Sequence, residues 1–241
     1  MDALPNVGEF IVWFVVFLFT LTVHEACHGL VAWLGGDSTA YHGGQVTLNP
    51  WPHIRREPVG TMVVPLLTFI TSGWMMGWAS TPYDPEWGRQ HPKRLAAMSA
   101  AGPAGNLLIA TLAFVALKTL LASGAFVPVP PEQINFQRLV EPRVGTPAES
   151  ILYPLAFLLS VALSLNVLLC LFNLLPLPPL DGAGILQGLL PDRYGNLIEG
   201  LRRNPMMSLV GLMIAWQVMD VFYHPVFEVL YRLLHPRVTY G

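Results

Sequence analysis

The stretch that decides the fold is FIVWFVVFLFTLTVHEACHGLVAWL, from Phe10 to Leu34. Its first part, Phe10 to Val23, contains no charged residue, and the apolar run resumes after His28. A membrane-spanning helix needs about 20 mostly apolar residues. The stretch therefore predicts a spanning helix that carries three ionisable side chains, those of His24, Glu25 and His28.

These three side chains form the pattern H-E-x-x-H, which is typical of a zinc site. Residues four apart lie on one face of a helix, so the imidazoles of His24 and His28 can point at a single ion. A catalytic zinc usually has three protein ligands, and the glutamate of the motif acts as general base on water at the metal. The same pattern also occurs by chance in soluble helices, but ionisable groups inside a membrane span are costly and functional by default.

The composition supports a membrane protein. Hydrophobic residues make up 53% of the 241 residues and charged residues only 12%, whereas a soluble domain has about 25% charged residues. The net charge of -2 argues against a nucleic-acid partner, which would need a basic stripe. Cys27 and Cys170 both lie in apolar runs and read as small buried hydrophobes.

Four further apolar runs follow the first. We therefore predict an all-α polytopic membrane protein, a single domain over residues 1–241, with about five to six transmembrane helices. The further spans are expected at about Val59 to Ala79, Leu95 to Leu121, Ile151 to Leu175 and Pro205 to Phe222, with an interfacial helix from Tyr223 to Leu234.

A different pattern follows the first helix. Between Tyr41 and Leu48, glycine is mixed with Val46 and Thr47 before Asn49-Pro50. This composition predicts a short strand or hairpin near the membrane interface.

Two histidines leave a zinc site one protein ligand short. Asp181, in Leu180-Asp181-Gly182, comes directly after the fourth apolar run and a proline-rich break. It is a candidate for the third ligand. An N-cap or a simple Asp-Gly turn is an alternative interpretation of the same residues.

Three motifs in this order carry a resemblance to a known family. Asn173 to Gly182 matches N-x-x-P-x-x-x-L-D-G, and Gly102 to Asn106 matches G-P-x-x-N. Together with the upstream H-E-x-x-H, they make the chain similar to the site-2 protease family of intramembrane zinc metalloproteases. The resemblance covers a catalytic core of about residues 10–190 and leaves the extra C-terminal helices, about residues 205–235, outside it.

The resemblance implies a zinc site and its chemistry. His24, His28 and Asp181 would bind one Zn²⁺ per chain, and Glu25 would be catalytic. The reaction would be hydrolysis of peptide bonds within or near transmembrane segments, so the expected partners are the lipid bilayer and a membrane protein substrate with a transmembrane helix. The expected location is a prokaryotic cell membrane, which the chain crosses several times.

The resemblance also implies that Asn106 and Asn173 lie close to the site. Their amide groups can hold a substrate carbonyl or an oxyanion, which would be electrostatic stabilisation. The alternative for each is a hydrogen bond between helices, which membrane bundles commonly use.

The segment from Val46 to Ile54 is similar to the compact subgroup of the family, which lacks a soluble peptide-binding domain. That subgroup commonly continues with His-Ile-Asp-Pro before Gly-Thr. Here Arg55 and Arg56 follow His53-Ile54 and the acid is displaced to Glu57, so the pattern supports no specific role for His53.

Other functions fit parts of the same pattern. A zinc hydrolase that acts on a lipid or a small amide would use the same residues. A metal transporter or a zinc-stabilised scaffold would not be an enzyme. Transport would require ionisable residues along several helices, but the second, third and fifth apolar runs have no Asp or Glu in their centres. A scaffold would not require Glu25. A helical protease substrate must also unwind, and we expect it to add a strand to the segment from Tyr41 to Leu48.

Overall fold

A computed structural model describes residues 6–145 and 148–236, apart from the side chains of Pro131, Asp192 and Asp220. The predicted single domain also includes residues 1–5, 146, 147 and 237–241, which lie outside the described residues. The described part is mostly helical. Its helices are α1 Val7–Leu34, α2 Thr39–His42, α3 Trp51–Arg56, α4 Val64–Ser72, α5 Pro85–Gln90, α6 Pro92–Ala122, α7 Glu149–Leu174, α8 Asp181–Leu189, α9 Asp192–Arg203 and α10 Pro205–Leu234.

Three of these helices are long and apolar enough to cross a membrane. They are α1 with 28 residues, α6 with 31 and α7 with 26, and they confirm three of the predicted spans. The helix α10 bends by 42° between Met219 and Val221, and counting it as one span raises the number to four. Within the described residues, length and composition therefore support three to four spans, fewer than the five to six that the sequence predicted.

The predicted second span is a broken helix. A π-helical turn, Val59–Val63, runs into α4, and the two together make a shorter apolar helix, Val59–Ser72. Gly73 ends it with a left-handed backbone, φ +72°, a conformation that glycine adopts without strain. The chain then runs back in an extended conformation, and the amide of Trp78 donates to the carbonyl of Gly60.

The predicted strand or hairpin between Tyr41 and Leu48 is wrong. The carboxylate of Asp37 accepts hydrogen bonds from the backbone amide and the hydroxyl of Thr39, at 2.9 and 2.5 Å. These bonds fix the helical turn α2, and Gly44 with φ +71° then reverses the chain. Within the described residues, the strands that pair lie after α6, where β1 (Phe126–Pro128) pairs antiparallel with β2 (Val140–Pro142).

The three long helices pack around one apolar core. Helices α1 and α6 approach closely at Gly105, because a side chain there would meet the sulfur of Cys27. The largest fully buried hydrophobic side chains of this core are Trp13, Met75, Leu117, Phe126, Leu139, Val161, Leu163, Leu165 and Leu234.

The short helix α8 lies against the beginning of α6 through two glycines. A β-carbon on Gly184 would meet the side chain of Ser99, and one on Gly188 would overlap the carbonyl of Pro92. Because α8 begins at Asp181, this close packing sets the position of that carboxylate relative to α1 and α6.

The outer faces of the long helices are apolar and exposed. On α1, Ile11, Val15 and Phe19 recur every fourth residue and are each more than half exposed. A continuous exposed apolar stripe of this kind marks a surface that contacts lipid or protein. It fits the membrane location predicted from the composition.

The contact at Gly105 leads to a prediction about stability. Valine at this position would place its β-carbon about 2.9 Å from the sulfur of Cys27 and force α1 away from α6. We expect Gly105→Val to lower the free energy of unfolding by about 1–3 kcal/mol, measured as a lower melting temperature of the purified protein in detergent.

The matched control is Gly200→Val, because Gly200 is also helical and has open space around it. It carries the same change in helix propensity without the clash. Equal melting temperatures for the two variants would contradict close packing at Gly105.

Candidate metal centre

Two imidazoles on α1 face each other inside the protein. His24 and His28 are both buried, and their Nε2 atoms are 3.0 Å apart. They lie one turn apart on the same face of the helix, as the spacing of the motif requires.

The other nitrogen of each ring is held by an oxygen. His24 Nδ1 donates to Oδ1 of Asn106 at 2.5 Å, and His28 Nδ1 donates to the backbone carbonyl of Met98 at 2.7 Å. A hydrogen bond at Nδ1 fixes the tautomer and leaves the lone pair on Nε2. Two lone pairs therefore point at each other, and a cation between them would remove this repulsion.

Asp181 completes the cluster from α8. Its Oδ2 atom lies 3.2 Å from His24 Nε2, and its Oδ1 atom lies 3.3 Å from His28 Nε2. A tetrahedral zinc ion with bonds of about 2.0–2.1 Å places its ligand atoms about 3.3 Å apart. The observed separations of the three side chains fit such an ion.

The environment of Asp181 also favours a metal. Its Oδ2 atom is buried without a hydrogen-bond donor, and Leu180, not Asp181, is the N-cap of α8. An ionised carboxylate buried 3.2–3.3 Å from two neutral imidazoles lacks an opposing charge. A metal supplies the positive charge that this ionised carboxylate requires.

Gly102 leaves the space that such an ion would occupy. A β-carbon at this position would lie 2.5 Å from His24 Nε2 and closer still to His28 Nε2. The sequence marks this glycine only as the first residue of the G-P-x-x-N motif. In the structure, its missing side chain leaves access to both nitrogens unobstructed.

Glu25 lies beside the cluster and has a partner from a distant segment. Its side chain is buried, and the hydroxyl of Thr81 lies 2.7 Å from its Oε2 and 2.9 Å from its backbone carbonyl. The hydroxyl donates its single proton to one of these two oxygens at a time. Thr81 therefore restrains the carboxylate of Glu25.

The two predicted asparagines lie in different surroundings. Asn106 is fully buried, and its amide also donates to Oδ1 of Asn166 at 2.9 Å. Both ends of the Asn106 amide are thus engaged. Asn173 lines the cavity next to the cluster, and its Nδ2 donates to the carbonyl of Leu169 one turn earlier in α7.

The sequence reasoning missed three groups around the site. Asn166 donates to the hydroxyl of Thr20 at 2.9 Å, so a chain of polar side chains runs from His24 through the helix bundle. An asparagine inside an apolar span is a signal that could have identified Asn166. No sequence signal marks Thr81, which lies in a connecting segment, or the backbone carbonyl of Met98.

A cavity of about 610 Å³ opens onto the cluster. His53, which is buried and lies 3.3 Å from the carbonyl of Thr47 through its Nε2, is not part of its wall. The side chains that line the cavity come from α1, the extended segment after Gly73, α6, α7, α8, α9 and α10; the polar ones are His24, Glu25, His28, Ser80, Thr81, Tyr83, Ser99, Asn173, Asp181 and Arg202.

The fold and the site together define a class. The chain has membrane-length apolar helices that enclose a His-His-Asp cluster able to hold a metal ion, with a glutamate beside it. This combination describes a helical membrane protein built for metal-dependent hydrolysis.

Comparisons with known proteins identify the family. The family model described as Peptidase family M50 matches residues 12–217. The chain is 32% identical to "Putative zinc metalloprotease YwhC" of Bacillus subtilis over 178 residues, which are 73% of this chain and 68% of the relative. It is 28% identical to "Putative zinc metalloprotease Rip2" of Mycolicibacterium smegmatis over 213 residues, 88% of this chain and 70% of the relative.

A second Rip2 protein, from Mycobacterium tuberculosis strain H37Rv, is 26% identical over 89% of this chain and 71% of its own length. No solved structure gives a significant match. The chain belongs to Peptidase family M50, the site-2 protease family, and is a membrane zinc metalloprotease.

The geometry at Gly102 makes a prediction about metal content. We expect Gly102→Ala to reduce bound zinc by at least about tenfold, because the new methyl group would occupy the space in front of both Nε2 atoms. The measurement is the zinc content of purified protein by elemental analysis.

Gly200→Ala provides the control, since its surroundings are open and the change in helix propensity is the same. A Gly102→Ala protein that folds and retains zinc as tightly as the control would be inconsistent with this role of Gly102.

Proposed function

We propose that this chain is an intramembrane metalloprotease that hydrolyses peptide bonds within or near transmembrane segments of membrane proteins. In this proposal His24, His28 and Asp181 hold one zinc ion, and Glu25 is the general base. One observation carries it: the three ligand atoms lie within 4.8 Å of one another, with Glu25 on the same cavity between membrane-length helices.

The side chains around the cluster have separate tasks. When bound, zinc supplies a Lewis acid that polarises a carbonyl group and makes water more acidic. Asn106 and the carbonyl of Met98 orient the two imidazoles. Glu25 accepts a proton from water and passes it to the nitrogen that leaves.

The asparagines divide between two roles. The hydrogen bonds of Asn106 to His24 and Asn166 support orientation of a ligand over contact with substrate. Asn173 lies on the cavity wall, and we propose that it holds the substrate carbonyl or the oxyanion that develops from it.

We propose a multi-pass arrangement in a prokaryotic cell membrane. Five membrane segments result if the broken helix and extended chain from Val59 to Ala79 insert beside α1, α6, α7 and α10. Six result if the two halves of α10 are counted separately. Non-helical backbone is tolerated at this depth where protein or a water-filled cavity surrounds it. The bacterial origin of the relatives supports the location.

The substrate must present an extended backbone to the site. The segment from Tyr41 to Leu48, predicted to receive it, is not a strand, but Gly77 to Thr81 is extended and lines the cavity. In the described part of the chain, the only backbone-to-backbone hydrogen bond of that segment runs from Trp78 to Gly60. We propose that an unwound substrate pairs with Gly77 to Thr81.

Replacement of the general base tests the proposed function directly. We expect Glu25→Gln to reduce cleavage of co-expressed single-span proteins by about 10²- to 10⁴-fold, because the glutamine side chain cannot accept the proton from water. Zinc should remain bound, because residue 25 is not one of the three proposed ligands. Cleavage is measured by the appearance of fragments, and zinc by elemental analysis.

Glu132→Gln is the control, since Glu132 is exposed and lies outside the cavity wall. Full activity of the Glu25→Gln protein would contradict the proposal. Hydrolysis of a lipid or a small amide, with no cleavage of any membrane peptide, would contradict the proposed substrate class.

The contact between Thr81 and Glu25 predicts a smaller effect. Thr81→Val keeps the shape of the side chain and removes the hydroxyl that holds the Glu25 carboxylate. We expect the cleavage rate to fall about ten- to hundredfold, because a hydrogen bond to a charged group is worth about 1.5–3 kcal/mol.

Thr81→Ser retains the hydroxyl and should keep most of the activity. Zinc content should be unchanged in both variants, since the hydrogen bonds of the Thr81 hydroxyl go to Glu25 and not to the three proposed ligands. Equal rates for the Val and Ser variants would refute a role for the hydroxyl.

A further inference from the structure

The cavity contains one permanent positive charge that the hydrolysis does not use. Of the described residues that line it, Arg202 is the only lysine or arginine. Its side chain is partly buried and lies in the last turn of α9, outside the three motifs that the sequence analysis identified.

Arg202 is held by the same helix that begins with Asp181. Its Nη1 donates to Oε1 of Gln187 at 3.1 Å, and Gln187 is buried on α8. The position of the guanidinium is therefore coupled to that of the proposed metal ligand.

The guanidinium of Arg202 can lie close to the site because Gly184 has no side chain. A β-carbon on Gly184 would lie 3.2 Å from Arg202 Nη1 and would meet the hydroxyl of Ser99. Gly184 is three residues from Asp181, a rise of about 4.5 Å along α8. The guanidinium and the Ser99 hydroxyl thus flank the cavity about one helical turn from the cluster.

Arg202 has no acidic partner within the described residues. The arginines that form ion pairs there are Arg89, Arg138, Arg203 and Arg232, and the adjacent Arg203 pairs with Glu199. A guanidinium has five N–H donors, of which one from Arg202 is used by Gln187. The remaining donors can bind an anion that enters the cavity, whose wall also includes the carboxylates of Glu25 and Asp181.

We propose that Arg202 determines substrate specificity by binding the carboxylate of an aspartate or glutamate side chain near the scissile bond. The forked guanidinium matches a carboxylate in a bidentate geometry. This proposal rests on the proposed protease function and adds a substrate class to it: membrane proteins with an acidic residue flanking the segment that is cut.

The surroundings of Arg202 indicate where that acidic residue lies. Arg202 belongs to α9, and another residue of this helix, Glu199, forms an ion pair with Arg89 at 3.0 Å. Charged groups concentrate at the membrane surface. The substrate carboxylate therefore lies at the end of its transmembrane segment, on the side of the membrane where α9 lies.

The test compares substrates that differ only in charge. Single-span peptides carry Glu, Gln or Lys at each position flanking the cleavage site, and cleavage is measured in a nonionic detergent without lipid. We expect the wild-type protein to cleave the best Glu peptide about tenfold faster than its Gln counterpart, a ratio set by one charged hydrogen-bonded pair.

The variants are Arg202→Gln and Arg202→Glu. The first should remove the preference for Glu, and the second should reverse it in favour of Lys, a gain that loss of folding cannot produce. Arg203→Gln makes the same charge change one residue away, on an exposed side chain that pairs with Glu199, and should leave the preference unchanged.

Binding provides a readout independent of turnover. The same peptides are labelled with a fluorophore, and their binding to the Glu25→Gln protein is measured. This protein should bind the Glu peptide about tenfold more tightly than the Gln peptide. The additional substitution Arg202→Gln should abolish the difference. Peptides that are bound with this preference but never cut by the wild type would refute the protease function and leave the Arg202 site supported.

Three results would overturn the specificity proposal. They are a Glu preference that survives Arg202→Gln, the absence of any charge preference in the wild type, and a preference that depends on added anionic lipid. A preference that depends on added anionic lipid would indicate that Arg202 binds a lipid phosphate instead of the substrate carboxylate.

Discussion

The structure depends on the convergence of three polar side chains in an apolar interior. His24 and His28 come from one helix and Asp181 from another, and their ligand atoms are separated by 3.0 to 3.3 Å. Burial of a carboxylate and two imidazoles is costly unless each is paired. The packing of α1, α6 and α8 must therefore hold these groups within reach of a common cation, and small residues at the contacts make this close approach feasible.

The polar groups around the two histidines are also paired. His24 is oriented by Asn106, which is held in turn by Asn166, and His28 is oriented by a backbone carbonyl. Loss of such a partner typically lowers metal affinity or activity about 10- to 100-fold. Each hydrogen bond also joins two helices, so the bonds that prepare the site for metal also fix the arrangement of the bundle. The geometry of the site and the packing of the helices therefore depend on the same hydrogen bonds.

The sequence predicted the long helices and the candidate ligands, because both leave local signals: apolar runs, the spacing of His24 and His28, and an Asp-Gly after a proline-rich break. It failed where tertiary contacts decide the conformation. The carboxylate of Asp37 in the turn after α1 accepts a hydrogen bond from the distant backbone amide of Asp84, and the chain reverses at Gly73 to run beside Gly60. Composition cannot reveal such long-range pairing, nor can it reveal that the hydroxyl of Thr81 lies on Glu25.

The distance along the chain between the proposed ligands has a thermodynamic consequence. His28 and Asp181 are 153 positions apart (181 − 28), so an ion bound between them closes a loop that contains most of the polypeptide. Folding of the bundle offsets the entropic cost of closing this loop, because no segment of the unfolded chain holds all three ligands together. Metal occupancy and the integrity of the whole bundle are then linked equilibria. For the proposed site, removal of the ion is therefore expected to loosen the protein far from the place where chemistry occurs.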